Sequence, residues 1–407
     1  MKEQIIYRRY YRNLLLIGAI SACLVAAVNL LVDPYDIFGN DRMPYFNLLK
    51  PAAIERARVF KPYQAERLAP KTVIGGNSRP EMGINPQSDC WKASEQPVYN
   101  AGIPGASFYL QSLFALHAIT SGSGNKIFMG IDFNDFLIDA STDRQNAHGQ
   151  TEFSENELRL APELTGASDF DHLRQRSADR LTALFSLNAL FDSVVTVLQQ
   201  RNKNAATRDK NGFNPYHEFN YIVESEGQWI LFEQKNQELA TIFQRPNLAI
   251  KFADQSLSPD FDDLKQFLEQ AHAKNIAVTL FINPYHIDYF EQIVRAQLWS
   301  DFEEWKREIL RIAEAYQTVL WDFNTVDQYS TEKPPSRNKL GETLQWFVEP
   351  AHYSSKLGDL MLTSLLGRQC KDIDSLDSFG VQLSQTMINS HLRKIREAIF
   401  GEVELGF

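Results

Sequence analysis

The 407-residue sequence is poor in cysteine and in positive charge. It has 41 Lys and Arg against 51 Asp and Glu, a net charge of −10, which argues against a nucleic-acid partner because phosphates need a basic surface. There is no H-E-x-x-H motif and no Cys/His cluster at zinc spacing, so we expect no metal and no cofactor. Of the three cysteines, Cys90 and Cys370 could pair in an oxidising compartment, which the sequence alone leaves open.

A long uncharged apolar run follows a basic N-terminus. Residues 1–12 carry four Lys or Arg and one Glu, and no charge then appears from Leu14 to Val32. As a helix this run spans roughly 28 Å, about one hydrocarbon core. The positive-inside rule predicts a cytoplasmic N-terminus and an extracytoplasmic remainder, hence a single-pass protein of the inner membrane.

Two other readings of this run stay open. The segment "ISAC" at 20–23 resembles a lipobox, which would make Cys23 a lipidated N-terminus. The apolar run continues well past Cys23, which favours an uncleaved anchor. A cleaved signal peptide should show a small-x-small site just after its apolar core, and the matches here lie inside the core.

Five short β-rich runs alternate with helical stretches and predict an α/β fold with a parallel sheet flanked by helices. The strands are expected at 71–76, 97–101, 126–132, 276–282 and 318–323. Helices are expected from Ser258, as N-cap before Pro259, and over 287–316. The expected organisation is a cytoplasmic stub at 1–12, an anchor at 13–32, a helical lead-in at 33–70, an α/β domain at 71–370 with an insertion at about 136–255 after the third strand, and a C-terminal helical tail at 371–407.

The carboxyl ends of these strands carry the polar residues, where ligands bind in open parallel sheets. Ser78 follows the first strand, and Glu349 stands three residues before His352 after the last. A serine nucleophile needs a histidine base, and the base needs a carboxylate, so these three are the candidate catalytic residues. The candidate oxyanion or substrate-binding residues are Arg79, Asn100, Gly102, Asp132 and Asn283. For His286 a structural or rim position is favoured over catalysis.

The order of these blocks resembles the SGNH (GDSL-like) hydrolase superfamily. "GGNS" matches its serine block, "NAGIPG" its glycine block and "EPAH" its final D-x-x-H block, over roughly residues 70–365. The resemblance implies a flavodoxin-like fold and ester chemistry through an acyl-Ser78 intermediate. The nearest resemblance is to extracytoplasmic proteins of polysaccharide acetylation and export. It implies a cell-envelope polysaccharide or acyl donor as substrate, and export-assembly partners.

Two departures from the family pattern affect what is expected. Glu349 replaces the usual Asp, and "GIDF" replaces G-x-N-D, so Asp132 stands where an amide donor is usual. A carboxylate there would repel an oxyanion, and we therefore expect Arg79 to pair with it. Asp132→Asn is expected to be tolerated. The alternative function is a catalytically degenerate carbohydrate-binding or scaffolding component of an export assembly.

Overall fold

The computed structural model describes residues 2–142, 153–371 and 379–404. Its first helix, α1, runs over Lys2–Val32, and its segment Ile6–Val32 is long and apolar enough to cross a membrane. Such a helix near the N-terminus is either a membrane span or a signal sequence. A disulfide joins Cys90 to Cys370, which suggests that the rest of the chain folds outside the cytoplasm.

The sheet is mostly parallel and has six strands in the order β2-β1-β3-β6-β7-β10. The strands of the protein are β1 Thr72–Gly75, β2 Val98–Asn100, β3 Lys126–Ile131, β4 Ile138–Asp139, β5 Leu248–Ala249, β6 Ala277–Ile282, β7 Val319–Asp322, β8 Phe347–Glu349, β9 His352–Tyr353 and β10 Val381–Gln382. All five strands expected from the sequence are present, and they pair in parallel, while β10 runs antiparallel to β7. The parallel strands reverse direction of winding between β1 and β3, as in doubly wound sheets.

Helices cover both faces of this sheet. After α1 they are α2 Ala57–Leu68, α3 Ser78–Gly83, α4 Phe108–Thr120, α5 Glu155–Leu158, α6 Pro162–Thr165, α7 Asp169–Phe185, α8 Leu187–Leu198, α9 Glu218–Ser225, α10 Gln228–Phe243, α11 Asp260–Ala273, α12 Ile287–Arg295, α13 Trp299–Ala315, α14 Ser355–Leu366 and α15 Ile388–Glu404. Along β1, Val73 packs into the core under α4 and α11, and Ile74 into the core under α14. Burial on both faces explains why the strands read as continuous apolar runs.

Two helix predictions were wrong in detail. Ser258 does not cap α11, because Pro259 occupies the cap position and the buried Ser258 hydroxyl has no hydrogen-bond partner among the described residues. The single helix expected over 287–316 is two helices, separated at 296–298 where Gln297 takes a left-handed φ of 61°. A sequence pattern that stays amphipathic through both helices hides such a break.

The lead-in and the insertion are mainly helical, apart from the short β4–β5 ribbon in the insertion. The lead-in contains α2 and a 3₁₀ turn at Pro51–Arg56, and the expected insertion contains α5 to α10. Residues 143–152 of that insertion lie outside the described residues, as do 372–378 and 405–407 of the expected tail. The tail is more than helical, since its strand β10 completes the sheet.

Candidate functional site

The three candidate catalytic residues meet at the carboxyl edge of the sheet. Ser78 begins the short helix α3 directly after β1, while Glu349 and His352 face each other across the antiparallel β8–β9 ribbon. His352 Nε2 lies 2.7 Å from Ser78 Oγ, and His352 Nδ1 bonds to Glu349 Oε1. The side chains thus form a continuous serine–histidine–carboxylate chain, the arrangement required for nucleophilic catalysis.

Glu349 is held as a buried carboxylate. It is 2% exposed, and its second oxygen accepts from the Ala351 N–H at 2.6 Å. Burial alone would raise the pKa of the Glu349 carboxyl, but His352, Lys235 and the Ala351 N–H together hold that pKa below its usual value. An ionised Glu349 can fix the orientation of the imidazole and stabilise its protonated form.

The Gly-Gly turn explains how Ser78 is presented. Gly76 has a φ of 135°, which side-chain-bearing residues rarely adopt, and a Cβ there would lie 2.6 Å from Pro80. Asn77 then caps α3 by accepting the Arg79 N–H at 3.0 Å. The strand therefore turns sharply into the helix and leaves Ser78 partly exposed at its first position.

The backbone N–H groups of Gly102 and Ser78 are the two candidate donors to an oxyanion, and they differ in whether they are free to donate. The Gly102 N–H donates to Asn100 Oδ1 at 3.0 Å, so it is already engaged. The Asn100 amide in turn donates to Pro80 O at 2.8 Å and Ile84 O at 2.9 Å, and its side chain is fully buried. Asn100 therefore holds α3 against the end of β2. For the Ser78 N–H, the described part of the chain supplies no acceptor.

Asp132 is buried and surrounded by donors. The expected ion pair is present, with Arg79 Nη1 2.8 Å from Asp132 Oδ2. Tyr285 donates to Asp132 at 2.8 Å, Asn283 donates at 3.1 Å, and Asn77 donates to the same carboxylate. Asp132 is 0% exposed, so it joins the ends of β1, β3 and β6 instead of facing an open site.

Arg79 connects this cluster to the turn at 350–351 between Glu349 and His352, which we call the histidine loop. Its Nε donates to the carbonyl of Ala351 at 2.8 Å, and Ala351 lies between Glu349 and His352. The guanidinium is covered by two aromatic rings, Tyr285 and Tyr289, each 5.1 Å away. One cation thus holds Asp132 and the histidine loop in a common arrangement.

Asn283 and His286 lie behind the catalytic residues. Asn283 is fully buried, and its Oδ1 accepts from the Tyr353 hydroxyl at 3.0 Å, so it braces the β9 strand next to His352. His286 is buried at the start of α12, where it bonds to the Glu332 carbonyl at 2.8 Å. Both positions support the framework of the site, and within the described part of the chain neither side chain has a hydrogen bond to Ser78.

A buried charge cluster on α3 was not foreseen. Glu81 has no exposure and binds Lys61 Nζ and Arg208 Nε, each at 2.7 Å. Helix α3, which begins at Ser78, is thereby tied to α2 and to the insertion. Only the acidic residue three positions after Ser78 could have hinted at this cluster, because Lys61 and Arg208 lie far away in sequence.

Fold and site together define a doubly wound α/β protein with a serine–histidine–glutamate chain at the carboxyl edge of its sheet. Among the residues that the structure describes, no group of three or more His, Cys, Asp or Glu could hold a metal ion. No protein-family model matches the chain, and no curated protein matches it significantly.

Proposed function

We propose that the protein carries out serine-dependent ester chemistry, O-acyl transfer or deacylation, on an extracytoplasmic cell-envelope carbohydrate. The observation that carries the proposal is the 2.7 Å contact between Ser78 Oγ and His352 Nε2, with Glu349 on the other ring nitrogen. A carboxylate-oriented histidine within hydrogen-bond reach of a partly exposed serine is what activates a hydroxyl nucleophile.

The proposed reaction has two halves. Ser78 Oγ attacks the ester carbonyl while His352 Nε2 accepts its proton, and the Ser78 N–H donates to the developing oxyanion. His352 then gives the proton to the departing alkoxide, which leaves an acyl-Ser78 ester. Water or a sugar hydroxyl attacks this ester while His352 accepts its proton, and the acyl–serine bond breaks as His352 returns that proton to Ser78 Oγ.

The carbohydrate substrate and the location rest on other observations. The blocks "GGNS", "NAGIPG" and "EPAH" resemble SGNH hydrolases, including polysaccharide-acetylating proteins, which favours a sugar ester and partners in an export assembly. We take α1 as an uncleaved anchor in the inner membrane, because its apolar run continues past Cys23 and its basic residues precede it. Tethering raises the effective concentration of the enzyme at a polymer that leaves the membrane.

A second candidate function is carbohydrate binding or scaffolding without catalysis. It is favoured by the occupied Gly102 N–H and by Asp132 at the position of an amide donor, which together leave the Ser78 N–H as the backbone donor identified for an oxyanion. Losing one oxyanion donor typically lowers turnover by about 10²–10³-fold. The two functions differ in whether Ser78 is nucleophilic.

Covalent labelling tests this difference. The full-length protein is treated with a fluorophosphonate, and the modified peptide is located by mass spectrometry. We expect labelling of Ser78 in the wild type and in the matched control Ser390→Ala, which removes an exposed serine. Labelling should vanish in Ser78→Ala and slow strongly in His352→Ala. A folded wild-type protein that stays unlabelled would contradict the catalytic proposal and support the binding function.

A further inference from the structure

Helix α8 buries its polar face and exposes its apolar face, the reverse of a surface helix in a water-soluble protein. The buried face consists of small or polar residues: Ala189, Ser193 and Thr196, all 0% exposed. The exposed face consists of large apolar residues at helical spacing: Leu187 (72%), Phe191 (68%), Val194 (50%) and Leu198 (76%). A surface helix in water normally shows the opposite pattern.

The preceding helix α7 continues this exposed apolar surface. Its exposed large apolar side chains are Phe170, Leu173, Leu181 and Phe185, all at least half exposed. Two exposed arginines lie on the same helix, Arg180 and Arg174, the latter paired with Asp171 at 3.4 Å. Long basic side chains beside an apolar stripe are typical of helices that lie at a lipid–water interface.

The bend between these helices packs against the outer end of α1. The chain bends by 61° between the two helices, at Ser186. Asn29 of α1 donates to the carbonyls of Leu184 at 2.9 Å and Ser186 at 3.3 Å, and it accepts from Ser193 at 3.0 Å. Asn29 therefore supplies two carbonyls at the bend with a donor from inside the protein, which matters at membrane depth because no water is there to do so.

From these observations we infer that the bent α7–α8 helix pair docks into the outer leaflet of the bilayer beside α1. The inference rests on the proposal that α1 is a membrane span. Asn29 lies three residues before the end of α1 at Val32, about 5 Å along the helix. Interfacial helices bury their apolar faces about 5–10 Å deep in the bilayer, so the helix pair lies at a depth that suits such a helix.

Lipid is a better occupant of this surface than a protein partner. The apolar stripe belongs to helices that pack on the outer end of α1, where Leu30 and Leu31 are 44% and 64% exposed. Exposed apolar side chains therefore lie both on the span and on the helix pair bound to it. The consequence is a domain held in a fixed orientation, not one that swings freely on its anchor.

Spin labelling in lipid nanodiscs tests the inference on the full-length chain. Cys23→Ser removes the free thiol and leaves the disulfide unreactive. Single labels are then placed on the helix pair with Phe191→Cys and Leu198→Cys. Ile17→Cys is the reference position within α1, and Val319→Cys, at the start of β7, is the matched exposed apolar control. Collision rates with oxygen, which concentrates in lipid, are compared with those of a water-soluble nickel complex.

We expect the labels at 191 and 198 to have oxygen-to-nickel ratios close to that at 17 and several-fold above that at 319. Ratios at 191 and 198 that equal the ratio at 319, with 17 still lipid-exposed, would overturn docking and leave the span intact. Shielding of the labels at 191 and 198 from both reagents would overturn docking into lipid in favour of a protein partner. A water-exposed or missing label at 17 would refute the span itself, and docking with it.

Discussion

Arg79→Ala should destabilise the protein far more than loss of a surface arginine. The Arg79 side chain is 9% exposed and that of Asp132 1%, so the substitution leaves a buried carboxylate without its cation. Removing one partner of a buried pair costs about 3–5 kcal/mol. Three neutral donors remain on Asp132, from Asn77, Asn283 and Tyr285, so we expect about 3 kcal/mol.

The measurement is the free energy of unfolding of the detergent-solubilised protein, from denaturant titration followed by tryptophan fluorescence. The matched control is Arg311→Ala, which breaks an exposed pair with Glu308 and should change stability by less than about 0.5 kcal/mol. Arg79→Ala also releases the Ala351 carbonyl beside His352. The rate of Ser78 labelling should therefore fall even under conditions where the variant remains folded.

A double-mutant cycle isolates the ion pair. The structure revises the expectation that Asp132→Asn is tolerated, because an amide has one acceptor oxygen where Asp132 receives four donors. Each single variant leaves a buried charge uncompensated, so the double variant should lose at least about 1 kcal/mol less than the sum of the singles. Strict additivity, or an Arg79→Ala protein as stable and as reactive as wild type, would refute the reasoning.

Two further predictions concern titrating groups. Burial lowers the pKa of His117 to about 4, so stability present above pH 6.5 should be lost as the pH falls toward 4, by about 3 kcal/mol. His117→Asn should flatten this dependence in urea titrations at pH 7 and 4.5, and an unchanged slope would contradict it. Glu349→Gln keeps a hydrogen-bond acceptor but removes the charge, and should slow Ser78 labelling by about 10²–10⁴-fold without unfolding the protein. Since the Glu349 pKa is lowered, protonation of this carboxyl should not reduce labelling above pH 4.5, and an earlier loss of reactivity that Glu349→Gln abolishes would show otherwise.

The sheet could be predicted because its strands are buried on both faces. Residues such as Val73 and Ile74 face opposite cores, so neither position tolerates a polar side chain and the run is apolar throughout. The break at Gln297 could not be predicted in the same way. Backbone conformation there depends on how α12 and α13 pack against the sheet, and the apolar spacing continues across it.

The candidate site residues could be predicted because they are polar residue types of characteristic chemistry that follow predicted strands. The parallel topology places Ser78 at the carboxyl edge of the sheet, and the antiparallel β8–β9 ribbon, which the sequence did not predict, brings Glu349 and His352 to it. The engagement of Gly102 was not readable, because a backbone N–H looks the same in sequence whether it is free or bonded to Asn100. The two cations around Glu81 come from two other segments of the chain and have no local pattern.

The position of Asp132 in the sequence predicts its charge and its nearest cation, but its burial and its full set of contacts depend on packing. Its place after β3 identified it as a hazard to an oxyanion, and the nearest cation was Arg79. The structure adds that the carboxylate is fully buried and that the same guanidinium holds Ala351, next to His352. A neutral residue at 132 would leave Arg79 without its anion, and the histidine loop without a rigid attachment to the turn that carries Ser78. The Asp132 carboxylate is therefore part of what positions His352 against Ser78.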